Sequence, residues 1–124
     1  MLLRSTEGHL FRSKSLDRGE TWMMSEPTGI PNPNSSADVA QFGDGRLALT
    51  YNPHRNRFGG RASIAVSFSE GHGEKWSKPT VIEKKEGGSF SYPFSFTRED
   101  GMSAVYSWNR LSIAYFDLKL DEKQ

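Results

Sequence analysis

Cysteine is missing from the 124 residues, which excludes disulfide staples and thiolate metal sites and leaves the redox compartment unmarked. Long apolar runs are missing too, and the longest present fall far short of a membrane-spanning helix. Met1-Leu2-Leu3-Arg4-Ser5 carries no sustained apolar segment of the kind a secretory signal uses. Charge of one sign is not in excess: sixteen Lys and Arg stand against fifteen Asp and Glu, for a formal net charge of +1. The basic residues are scattered, so nucleic acid is not indicated as a partner. His9, His54 and His72 lie apart with no carboxylate pattern joining them, so neither a metal site nor a cofactor is expected. Sustained helical periodicity is also absent. What the chain has instead is 12% aromatics and twelve glycines, an all-β composition.

The most informative stretch is Ser15-Leu16-Asp17-Arg18-Gly19-Glu20-Thr21-Trp22, in which Ser15, Asp17, Gly19 and Trp22 fit S-x-D-x-G-x-x-W. An Asp side chain can accept bonds from backbone N–H groups just ahead of it, and Gly supplies the positive φ of a tight loop. Trp then folds back as an apolar plug with one N–H to satisfy. A weaker copy, Ser69-Glu70-Gly71-His72-Gly73-Glu74-Lys75-Trp76, follows 54 residues on, with Gly71 in place of the Asp. Ser69, Gly73 and Trp76 keep the remaining positions. Both tryptophans are read as structural plugs rather than platforms for sugar stacking.

Period-2 alternation between turn residues predicts strands at 2–5, 10–15, 38–42, 46–52, 62–68, 80–83, 91–97, 103–108 and 111–118. Asp44-Gly45 and Asp100-Gly101 signal hairpins, and Pro31, Pro33 and Pro53 break any helical alternative. Self-alignment shows the organisation. Gly45 and Gly101 are 56 residues apart, and each is followed by a strand ending in an aromatic and then by an Arg that opens another strand. A repeat of this length with four strands per copy suits a propeller blade, whose faces are buried only by neighbouring blades. The expectation is about two to two and a half four-stranded antiparallel blades, with residues 1–120 as one fragment and 121–124 as a polar tail. A short open sandwich of two sheets is the alternative.

With these motifs in view, the chain resembles the sialidase (neuraminidase) superfamily of six-bladed β-propellers, and within it the proteins carrying BNR/Asp-box repeats. The matching segments are the Asp-box, Pro31-Asn32-Pro33-Asn34-Ser35, the 44–52 hairpin strand, Ser91-Tyr92-Pro93, and Asp100-Gly101 with Tyr106-Ser107-Trp108-Asn109-Arg110. They look like the C-terminal third of such a protein. The resemblance implies a glycoside hydrolase acting on terminal acidic sugars, with three arginines gripping the substrate carboxylate and a Tyr nucleophile paired with a Glu. An Asp would be the general acid/base. Guanidinium holds a carboxylate in a fixed bidentate geometry, and a neutral phenol can approach an anomeric carbon that bears a carboxylate.

Carried over residue by residue, Tyr92 matches the nucleophile, and Arg4 and Arg61 match two of the arginines. The acid/base Asp, the Glu and the third Arg have no matching position in this sequence. Little activity is therefore expected of the chain alone, and blade edges left open could self-associate. A non-catalytic carbohydrate- or protein-binding module is the other reading. On the residues alone, Arg4 and Arg61 read equally as solvated strand ends and Tyr92 as a strand aromatic. Arg55, Arg57 and Arg110 read as solubilising loop residues, the 83–88 segment as a solvated loop, and Glu99 with Asp100 as turn chemistry.

Overall fold

Alternating apolar residues cut by Gly- and Pro-containing turns fold the chain into ten strands, with no helix among the described residues. The computed structural model describes residues 1–121, so the tail assigned to 121–124 lies, apart from Asp121, outside the described residues. The strands are β1 (Leu2–Leu3), β2 (His9–Arg12), β3 (Glu26–Pro31), β4 (Asp38–Gln41), β5 (Leu47–Tyr51), β6 (Ser63–Ser69), β7 (Thr80–Lys84), β8 (Phe90–Arg98), β9 (Gly101–Trp108) and β10 (Ser112–Lys119). They form three antiparallel meanders in chain order: β1-β2-β3, β4-β5-β6-β7 and β8-β9-β10. The chain is all-β, and its sheets of three or four strands have the form expected of propeller blades.

One strand goes beyond the sequence reading. β3 contains Pro27, Gly29 and Pro31, which argue against a strand, but it is the edge of its sheet. An edge strand needs only one side of its backbone paired, so proline is tolerated there. Glu83, which the sequence places both at the end of the 80–83 strand and at the start of the solvated 83–88 loop, belongs to β7. Its carboxylate accepts the Tyr106 hydroxyl at 2.6 Å and the Trp108 indole N–H at 2.9 Å, tying the second sheet to the third. Burial, followed by that bond to Glu83, raises the Tyr106 phenol above its usual range.

The central sheet is covered on both faces, and β5 shows how. Leu49 and Tyr51 pack with Leu10 and Ile30 of the first sheet. Ala48 packs with Met102 and Ala104 of the third, toward which Thr50 also accepts a bond from the Ser95 hydroxyl at 2.7 Å. Period-2 alternation therefore distributes one strand's side chains between two interfaces. Leu49, Ile64 and Phe90 are fully buried, each contributing about 1.5–3 kcal/mol by leaving water. The far face of the third sheet remains apolar and open, with Phe94, Ile113 and Tyr115 each more than 60% exposed. Faces of that kind mark surfaces that other proteins or other sheets cover.

The two eight-residue motifs sit at equivalent places, between β2 and β3 and between β6 and β7. In the first, Asp17 accepts from the Thr21 amide at 2.8 Å and from the Thr21 and Ser15 hydroxyls. The Gly19 amide donates to Ser15 Oγ at 2.7 Å, and the Trp22 indole donates to Gly19 O at 3.1 Å. In the second, the Trp76 indole donates to Gly73 O at 3.0 Å. Backbone φ repeats as well: 60° and 94° at Arg18 and Gly19, and 55° and 70° at His72 and Gly73. Trp76 packs against the core, whereas Trp22 keeps its indole bond but is 48% exposed.

The Thr21 and Ser15 donors draw the Asp17 carboxyl from 3.8 down to about 2. A carboxylate depressed in the folded state stabilises the fold above its ordinary pKa, and that stabilisation is lost as pH falls through the folded value. Thermal melts taken at falling pH are therefore expected to show stability lost below 3.8 toward about 2. Asp17→Asn should flatten that part of the profile. An unchanged profile would mean that the loop does not depend on the charge.

Candidate functional site

Asn52, just past β5, is fully buried, and its side chain holds three segments together. Its amide nitrogen donates to Ser63 O at 2.7 Å and to Phe90 O at 2.8 Å, and its Oδ1 accepts the Ser35 hydroxyl at 2.6 Å. Ser35 is in turn clasped by buried Asn32, which accepts from the Ser35 amide at 3.0 Å and donates to its carbonyl at 3.2 Å. The Phe90 amide donates to Arg61 O at 2.8 Å. The Asn32 to Ser35 turn, the start of β6 and the start of β8 therefore converge on one buried amide.

Arg61 precedes β6 and Tyr92 lies two residues into β8, so this convergence brings them together. The Arg61 guanidinium carbon is 5.5 Å from the centre of the Tyr92 ring. Arg4, just past β1, enters the same space from the first sheet. The three line an open cleft of about 640 Å³, together with Asn34, Arg57, Phe58, Arg110 and the Gly87-Gly88-Ser89 loop. No Asp or Glu is among its lining residues. Loop 53–60 reaches the cleft by close approach at Gly60. A Cβ there would come within 2.4 Å of Pro33 Cβ and 2.0 Å of Asn56 O.

A β-bulge aims Tyr92 into this cleft. The β8–β9 register slips by one residue between Ser91 and Phe94, and Tyr92 takes φ 53°. Positive φ is a genuine outlier for a bulky aromatic, costing about 1–3 kcal/mol, and bulges re-aim side chains beside functional sites. Among the described residues, six non-glycine residues have positive φ. Arg18 and His72 lie in the two repeat motifs; Asn34, Tyr92 and Arg110 line the cleft, and Asn109 adjoins it. Hydrogen bonding from the Arg61 guanidinium, then the charges of Arg61, Arg110 and Arg4, hold the Tyr92 phenol below its usual range.

Arg57 and Arg110, solubilising loop residues on the sequence alone, both line the cleft. Arg4, Arg57, Arg61 and Arg110 form no ion pair with a carboxylate among the described residues, whereas Arg12, Arg46 and Arg98 do. Asn-Arg in a hairpin turn, where Asn-Gly would be unstrained, is the signal that could have marked Arg110. Among the described residues, no group of three or more His, Asp or Glu could hold a metal ion.

Removing the Asn52 amide leaves the Ser63 and Phe90 carbonyls and the Ser35 hydroxyl unpaired in the interior. Asn52→Ala is expected to lower unfolding stability by roughly 2–4 kcal/mol, read from urea denaturation. A loss below about 0.5 kcal/mol would remove Asn52 as the organiser of the cleft.

No curated protein and no solved structure matches the chain. The family model described as a BNR repeat-like domain matches residues 1–105, well over half of the 124, and covers both motifs and the cleft residues from Arg4 to Tyr92. The chain belongs to the BNR repeat-like domain family.

Proposed function

We propose that the chain supplies the carboxylate-binding and nucleophile side of a sialidase-like glycoside hydrolase site, built on blades of a six-bladed propeller. One observation carries this reading: Arg4, Arg61 and Tyr92 meet in one cleft although 88 residues of chain separate the first from the last. Arg4 and Arg61 would grip the carboxylate of a terminal acidic sugar by charge-assisted bonds. The Tyr92 phenol oxygen, giving its proton to water, would attack the anomeric carbon, forming an aryl glycoside as the bond to the leaving oxygen breaks. That oxygen departs with the bonding electron pair and takes up a proton. Water then releases the sugar from Tyr92, and two successive displacements give net retention.

A second reading, a non-catalytic glycan- or protein-binding module, is favoured by the lack of any carboxylate lining the cleft. With no acid beside the leaving oxygen, its proton comes from water, and general acid catalysis worth about 10²–10⁴-fold is forgone. Binding without appreciable turnover is the behaviour expected of this chain. In isothermal titration N-acetylneuraminic acid should bind and its methyl ester should not, and Arg61→Ala should weaken the acid about tenfold or more. A fluorogenic sialoside should be hydrolysed negligibly. Equal binding of acid and ester would refute the clamp. Robust turnover left unchanged by Tyr92→Phe would remove Tyr92 as nucleophile.

A further inference from the structure

The cleft holds more positive charge than one carboxylate requires. Two guanidiniums, Arg4 and Arg61, suffice for the grip described above, yet Arg57 and Arg110 also line the space, and no carboxylate is among its lining residues. Clustered like charges repel, and that cost persists unless something of opposite sign enters.

Arg110 is the more firmly placed of the two extra cations. It sits in the β9–β10 turn, closed by a bond from the Leu111 amide to Trp108 O at 2.9 Å. Both central residues, Asn109 and Arg110, have positive φ, 51° and 57°, which glycine would accept without strain. The turn is pinned to the cleft wall twice over: the Asn109 amide donates to Ser89 O at 2.7 Å, and the Ser89 amide donates to Asn109 Oδ1 at 2.8 Å. A long cationic side chain thus occupies a strained and anchored position facing the site rather than a mobile loop tip. Its charge is also felt at the Tyr92 phenol.

We infer that the cleft takes an acidic sugar bearing a second anionic oxygen group, a carboxylate or a sulfate ester, with Arg110 as the specificity residue that receives it. This rests on the reading of Arg4 and Arg61 as the clamp for the first carboxylate. A planar guanidinium suits either anion, because both present paired oxygens to its fork of N–H groups.

Isothermal titration of the whole chain tests this with three probes: N-acetylneuraminic acid as monoanion, disialic acid carrying a second carboxylate, and 8-O-sulfated N-acetylneuraminic acid. At least one dianion should bind about tenfold or more tighter than the monoanion, and which one does so identifies the second group. Arg110→Gly, which suits the turn's φ, should bring the dianion-to-monoanion ratio close to one, while Arg61→Ala weakens every probe and preserves the ratio. Arg110→Lys should recover part of the preference. A wild-type ratio within twofold of one, or a ratio that survives Arg110→Gly, overturns the inference and leaves the single-carboxylate clamp standing. Failure of all three probes to bind overturns the clamp itself.

Discussion

One buried amide decides whether this protein has a site. Asn52 satisfies two carbonyls and a hydroxyl drawn from three separate segments, all in the interior, where an unpaired polar group costs about 1–3 kcal/mol. Those segments carry Arg61 and Tyr92 or lead to the Asn34 corner of the cleft. Interiors are packed too closely for such a hub to shift without cost, so its hydrogen bonds set the cleft's geometry. The sheets provide the frame: the central one is buried on both sides, and β5 sends alternate side chains to each neighbour.

Strain in the backbone follows function as well as architecture. The two repeat motifs use positive φ at Arg18 and His72 to turn the chain between strands, a local and repeated device. Among the described residues, the other four non-glycine positions of positive φ gather around the arginine cleft, where a bulge and a tight hairpin direct Tyr92 and Arg110 into it. Folding free energy spent on such conformations is offset by the well-packed strands on either side. The result is a wall whose guanidiniums form no ion pair with a carboxylate among the described residues, and charge held in place before binding is what anion recognition needs.

Much of the fold was legible because its signals are local. The Asp-box, the Asp-Gly hairpins and strands ending in aromatics are read within a few residues of each other, and their spacing exposes the repeat. β3 was hidden because Pro27, Gly29 and Pro31 speak against a strand, and only its position at a sheet edge makes them acceptable. Glu83 could be read as the end of a strand, but nothing local announces that Tyr106 and Trp108, more than twenty residues on, will donate to its carboxylate. Trp22 keeps the motif's indole bond but stays half exposed, so the degree of burial was not readable from the motif. Arg4, Arg61 and Tyr92 were singled out by resemblance. Arg57 and Arg110 were passed over because a surface arginine is ordinarily just solvated, and only the folded chain shows four of them around one space.

The central claim is that this cleft engages a carboxylate through its arginines. The most direct measurement follows the arginine side-chain Nε–Hε resonances of the isotopically labelled chain as N-acetylneuraminic acid is added. The account predicts saturable shifts of the Arg4 and Arg61 signals with the acid and none with its amide. Shifts confined to arginines outside the cleft, or identical shifts with acid and amide, would contradict it.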